Sequence, residues 1–186
     1  MSLSSSTRFY FGLGGSVYAV KEAAYVIFVL VFYNQVLGLS GSVTGFVLFL
    51  SVVWDAISDP LVGTWSDKSR SRWGRRHPFM IAGAIPLGIG FLGLFGPPQM
   101  VQDNTVLLAA WLLFWSLWIR TAVTLFALPH LALTAELTQD YHERSQLLGG
   151  RMAFLFLTTV GLPAFALYFF FGESNGEDGR FVVDNY

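Results

Sequence analysis

Thr105-Val106-Leu107-Leu108-Ala109-Ala110-Trp111-Leu112-Leu113-Phe114-Trp115-Ser116-Leu117-Trp118-Ile119 runs for fifteen residues without a titratable side chain. Arg120 interrupts it, and Thr121 to Leu133 carries the apolar character on. A helix needs about 20 mostly apolar residues to cross a bilayer, and this stretch has them. Lipid cannot satisfy open backbone groups, and the segment lacks the period-2 alternation of a barrel strand, so it reads as a membrane helix. Working outward with the same criterion gives five spans, at about 10–37, 42–65, 79–95, 105–133 and 147–171. Breaker chemistry separates them: Gly38-Leu39-Ser40-Gly41, Pro97-Pro98 and the polar run from Glu136 to Ser145.

Composition agrees. The chain of 186 residues is 54% hydrophobic and 12% charged, against about 25% charged in soluble domains. A soluble fold of this size would leave apolar patches exposed, and a bilayer removes that problem. The net charge of −1 gives no basic field for nucleic acid. With no cysteine, disulfides, thiolate metal sites and cysteine nucleophiles are excluded. His77, His130 and His142 lack metal-ligand spacing, so no metal site is expected from them. Arg8 before an apolar stretch imitates a signal peptide, but Lys21 and Glu22 interrupt that stretch, and cleavage is rejected.

Lys68, Arg70, Arg72, Arg75 and Arg76 all lie between spans two and three. By the positive-inside rule that loop, the loop after span four and the N-terminus are cytoplasmic. The tail, with Glu173, Glu177, Asp178 and Asp184, is then expected outside.

Ionisable residues at bilayer depth mark function by default. Asp55 and Asp59 sit four apart on one helix face. Two carboxylates held close repel unless a proton or a hard cation joins them, and Na+ would want oxygen ligands. Pro60 frees the carbonyl of Ala56, and Ser58 adds a hydroxyl. A structural ion pair with Lys21 or Arg120 is the plain alternative. Arg120, in mid-span with Thr124 on its face, is either counter-ion to the acids or a donor to substrate. Lys21 shares a face with Tyr18 and Tyr25 and is expected to point into a cavity. Adjacent Lys21 and Glu22 are expected not to pair, because neighbours on a helix diverge. Arg151, near the cytoplasmic end of its span, has the length to snorkel. Gly41 and Gly45, and the cluster Gly12, Gly14 and Gly15, read as close-approach points between helices.

The run Trp54-Asp55-Ala56-Ile57-Ser58-Asp59-Pro60-Leu61-Val62-Gly63, continued by Ser66-Asp67-Lys68-Ser69-Arg70-Ser71-Arg72-Trp73-Gly74-Arg75-Arg76-His77-Pro78, resembles the signature of the glycoside-pentoside-hexuronide:cation symporter family, typified by melibiose permease, within the major facilitator superfamily. Phe32 to Leu39 and Glu136-Leu137-Thr138 through Glu143-Arg144 are similar to it as well. Gly63, Asp67, Lys68, Gly74, Arg75 and Arg76 resemble the superfamily's gating loop motif.

The resemblance implies an all-α membrane protein of twelve spans in two six-helix halves, working by alternating access around a central cavity. This chain, 1–186, is then expected to be a single amino-terminal bundle cut before its sixth helix, missing its carboxy-terminal half. The implied cation site is Asp55, Asp59, Ser58 and Thr124, for Na+ or H+, with no other cofactor. Lys21, Tyr18, Arg120 and Arg151 are the candidate solute contacts, Arg151 matching a family arginine near the cavity floor. Ala19, Ala127 and Leu131 depart from the family's sugar-binding positions, which leaves another glycoside, a uronide or a non-sugar open. The implied partners are a small solute of carbohydrate type and the lipid bilayer, in the plasma (inner) membrane. The competing readings are a non-transporting membrane fragment and a related lipid carrier. No nucleophile, base and orienting group assemble into an enzyme.

Overall fold

The computed structural model describes residues 3–69, 71, 72, 74 and 76–171. Five long helices follow one another: α1 (Ser5–Val36), α2 (Gly41–Lys68), α3 (His77–Phe95), α4 (Thr105–Leu137) and α5 (Tyr141–Phe171). A single helical turn, Gln99–Gln102, sits between α3 and α4, and no strand occurs among the described residues. Arg70, Trp73, Arg75 and the acidic tail from Glu173 onward fall outside the described residues.

The helices overrun the hydropathy-based spans at one end. Helix α1 begins at Ser5, α2 continues to Lys68, α4 reaches Leu137 and α5 starts at Tyr141. Hydropathy sees only the hydrocarbon layer, whereas backbone hydrogen bonding continues through polar residues into the headgroup zone. Of the polar run from Glu136 to Ser145, only 138–140 leave the helix. Side-chain caps fix the starts. Ser4 and Ser40 accept from Thr7 N–H and Val43 N–H, and Asn104 accepts from Val106 and Leu107 N–H. Gly38 ends α1 at a φ of +71°, where a side chain would be strained.

Helix α4 is the hub. It packs on α3 along one side and on α2 along the other, while α1 lies mainly against α5. Gly83 and Gly90 set the α3–α4 distance: a Cβ on Gly83 would stand 2.6 Å from the Ala122 carbonyl, and one on Gly90 2.6 Å from Ile119. Gly12 and Gly15 do the same against Phe154 and Arg151 of α5, as expected for that cluster. The Gly41–Gly45 pair is a correction: nothing lies within 4 Å of a Cβ at Gly45, and Gly41 meets only Asn34 at ordinary contact distance. The close seams lie elsewhere in the bundle.

Tyr25, Val29, Tyr33, Leu94, Leu108, Leu112 and Ile119 form the core where α1, α3 and α4 meet. Tyr33 donates to the Leu94 carbonyl at 2.7 Å, so its buried hydroxyl is satisfied. Large apolar side chains cover the outside, among them Leu92, 80% exposed, and Ile85, Phe156 and Val160, each more than 60% exposed. In water this belt would aggregate; on five helices long enough to cross, it is the lipid contact of an integral membrane protein.

Candidate functional site

The site lies where α2 faces α4, roughly halfway along both helices. Thr44, Ser51, Ser58, Val62 and Ser66 line the buried side of α2, a nearly seven-residue repeat that keeps hydroxyls on one face. Asp55 and Asp59 flank this stripe, half-buried. Pro60 sits inside the helix without ending it.

The two carboxylates have different partners. Asp55 Oδ2 accepts from the guanidinium of Arg120, whose Nε donates to Ser51 Oγ at 2.8 Å. The Arg120 guanidinium also lies 5.3 Å from the Tyr25 ring. Arg120 is thus paired with Asp55, the contact expected of a counter-ion. Asp59 Oδ1 accepts from Thr124 Oγ1 at 2.8 Å and has no basic partner among the described residues. Ser58 is 4% exposed, and its hydroxyl hydrogen-bonds neither carboxylate nor any other group among the described residues. Trp54, beside Asp55, donates to Thr121 Oγ1 at 2.9 Å and staples α2 to α4 at this level.

Energetics separate scaffold from function here. An interhelical hydrogen bond in a membrane contributes about 0.6 kcal/mol on average. A carboxylate or guanidinium at bilayer depth costs on the order of 2.5–3.5 kcal/mol. One hydroxyl bond does not offset keeping Asp59 there, so stability of the fold is no reason for it.

On α1, Lys21 is 5% exposed, its Nζ 2.6 Å from Glu22 Oε1 and 4.5 Å from the centre of the Tyr18 ring. The expectation that these neighbours cannot pair is overturned. Their Cβ atoms do diverge, but the four-carbon stem of Lys21 is buried and its head folds back to a carboxylate in reach. The helix also widens into a π-turn at Ala24–Val29, directly after the pair. Arg151 does not snorkel. It is 8% exposed, packed with its Cγ and carbonyl against Gly15, and its Nε has no partner. His130 is buried nearby, stacked on Phe11 with ring centres 4.5 Å apart.

The loop motif between α2 and α3 draws three helices together. Arg76, at the N-cap of α3, lies 3.4 Å from Asp67 at the end of α2 and donates from Nε to Glu136 of α4 at 2.8 Å. Gly74 takes a φ of +89°, a conformation that requires glycine, and returns its N–H to the Ser71 carbonyl at 3.2 Å. A side chain added to Gly63 would meet nothing within 4 Å, and Lys68 closes the last turn of α2. At the same end Glu143 accepts from Leu3 N–H at 3.0 Å and Thr138 Oγ1 at 2.8 Å, with Arg8 3.6 Å away. These contacts tie the start of α1 to the α4–α5 turn.

Sequence reading missed Ser51, the contact of Tyr25 with Arg120, the Trp54–Thr121 staple and Glu22 as the partner of Lys21. The hydroxyl repeat on α2 was the available signal for Ser51. The others depend on how α1 and α4 face α2, which no periodicity encodes. A shallow apolar groove is lined by Pro86, Phe114, Leu117, Trp118, Thr121 and Leu125. It holds no charged group and lies apart from the acidic pair.

Known proteins share this arrangement of sequence. An uncharacterised symporter of Synechocystis sp. is 36% identical over 80% of this chain and 28% of its own length. A sodium-dependent lysophosphatidylcholine symporter 1 of Xenopus tropicalis is 30% identical over 85% of the chain and 30% of its own. An isoprimeverose transporter of Lactiplantibacillus pentosus is 24% identical over 96% and 37%. The chain thus spans about a third of the length of these relatives. Their names are those of transporters, not enzymes. The profile of the family described as MFS/sugar transport protein matches residues 10–183, which takes in all five helices, the acidic pair and the Arg76 junction. With a match over that extent and symporters among its relatives, the chain belongs to the MFS/sugar transport protein family.

Proposed function

We propose that this chain is the part of a symporter that binds the coupling cation, Na+ or H+, and contributes one wall of an alternating-access pathway for a sugar or glycoside-type solute. One observation carries the reading. Asp59 lies deep in a membrane helix, accepts a hydroxyl hydrogen bond from Thr124, and lacks a basic partner among the described residues. A carboxylate left in that state is poised to take a cation and to release it when access changes sides. Asp55 and Ser58 complete the polar face. Tyr18, exposed, and Lys21 and Arg151, both buried, on α1 and α5 are the groups offered to the solute. Arg76, tying α2, α3 and α4 at one end, serves as the gate-side clamp, and the basic loop at that end faces the cytoplasm of a cell whose plasma membrane holds the protein.

The second reading, a lipid-type solute, draws on Ala127 and Leu131. Their side chains offer a solute no polar group at these two positions of α4, and one relative carries a lysophospholipid in its name.

The test uses the full-length protein carrying this chain in proteoliposomes. Solutes are first chosen by binding from a panel of glycosides, uronides and lysophospholipids. Asp59→Asn is expected to abolish accumulation driven by a Na+ or H+ gradient while sparing exchange of the same solute across the membrane. Gradient-driven accumulation that persists in this variant rules the coupling site out.

A further inference from the structure

The charges around the acidic pair can be counted. Two basic groups, Lys21 of α1 and Arg120 of α4, face three acidic ones, Glu22 of α1 and Asp55 and Asp59 of α2. Lys21 is matched by Glu22 and Arg120 by Asp55, which leaves one negative charge, on Asp59. The other ionisable neighbours are the phenols of Tyr18 and Tyr25 on α1 and, from α5, Arg151, which lies toward Tyr18 and His130 and makes no ion pair among the described residues.

Resting on the cation-coupling reading above, we infer that Arg120 is a resident competitor of the coupling cation. It holds Asp55, confines the mobile ion to Asp59 and Thr124, and thereby sets how tightly Na+ is bound.

Three features support this. Arg120 is 8% exposed and clamped from three sides, by Asp55, Ser51 and the Tyr25 ring, so it does not wander as a surface arginine would. A guanidinium is always charged, so this competitor never leaves by deprotonation. A hard cation needs several oxygen ligands. With the charge of Asp55 engaged, the hydrogen-bond partner of Asp59 among the described residues is the neutral hydroxyl of Thr124. A unit positive charge a few ångströms from the ion also opposes it directly, strongly so in a medium less polar than water. An ion that draws Asp55 into its shell must first displace Arg120, so the same clamp acts as a threshold.

The experiment is equilibrium binding of radiosodium to the purified full-length protein at fixed pH, with no solute present. Arg120→Gln is expected to bind Na+ about tenfold more tightly, or more, than the unmodified protein, because a nearby unit charge is withdrawn. Arg120→Lys keeps the charge and is expected to bind as the unmodified protein does. Ser51→Ala loosens the clamp without altering charge, and is expected to tighten Na+ binding by a few fold, the worth of one hydrogen bond. Unchanged or weaker binding in both Arg120→Gln and Ser51→Ala, or equal tightening in Arg120→Lys, overturns the inference. So does an absence of Na+ binding in every protein. Adding Asp59→Asn separates the two levels. Na+ binding that survives it removes the coupling site itself. Binding that depends on Asp59 but ignores residue 120 removes only the role assigned to Arg120.

Discussion

Arg120 and Arg151 are both buried arginines in membrane helices, and their surroundings give them opposite standing. Arg120 has a carboxylate, a hydroxyl and an aromatic face. Arg151 has packing for its stem but no hydrogen bond at Nε and no ion pair among the described residues. An unpaired charge at that depth opposes the fold by on the order of 2.5–3.5 kcal/mol at mid-helix and less near an end. Methionine has similar length and keeps the contact that the Arg151 stem makes with Gly15. Arg151→Met is therefore expected to leave the melting temperature of the detergent-solubilised protein unchanged or raised, while solute binding falls sharply. A large drop in melting temperature would show instead that Arg151 is structural. Of these residues, sequence reading singled out both arginines and both aspartates because each breaks the apolar rule of its helix, and Thr124 through the family resemblance. It left the role of Arg120 open, since choosing between counter-ion and donor requires the distance to Asp55, which spacing along one chain does not contain.

At the scale of the helices, existence and order were legible because lipid leaves so few options. Ends were not, because the polar turns at residues 5–9, 66–68, 134–137 and 141–146 resemble loops in hydropathy and are helical in fact. Seams were legible only in part. The glycines at 12, 14 and 15 mark a true close approach, and the GxxxG at 41 and 45 does not, since small-residue spacing says nothing about which face another helix will meet. Gly83 shows what a working seam demands: its Cβ would come within 2.6 Å of the Ala122 carbonyl and 3.0 Å of the Phe126 nitrogen, both backbone atoms that cannot rotate away. Gly83→Ala is expected to destabilise the protein by about 1–3 kcal/mol, the usual cost of overpacking. Gly45→Ala, in open space, is expected to be neutral or to stabilise by up to about 1 kcal/mol through helix propensity. Thermal unfolding of the two variants side by side checks the assignment; equal effects would mean that the α3–α4 distance is not set at Gly83.

The two ends of the whole molecule differ in charge and in how their helices are tied together. The starts of α1, α3 and α5 and the ends of α2 and α4 share one end of the bundle, joined by Arg76 to Asp67 and Glu136 and by Glu143 to Leu3 and Arg8. The opposite end has the turns at Gly38 and at Pro97 to Asn104, where Asp103 is the one charged residue. Lys68, Arg72 and Arg76 belong to the first end, and in sequence Arg70 and Arg75 fall among them, a bias strong enough to orient short loops. The ion pairs there are partly exposed, each contributing roughly 0–1 kcal/mol. They do little for overall stability, but a set of weak contacts confined to one end can close that end and release it again. The orientation can be read directly, because this chain has no native cysteine to confuse the label. Ser71→Cys and Asp103→Cys both lie at exposed positions. In intact cells an impermeant maleimide is expected to modify Asp103→Cys and to reach Ser71→Cys only after the membrane is opened. Modification of both from the same side would contradict the up-and-down course of α3 itself. Modification of Ser71→Cys alone in intact cells would invert the molecule and place the Arg76 clamp on the outer side of the solute pathway.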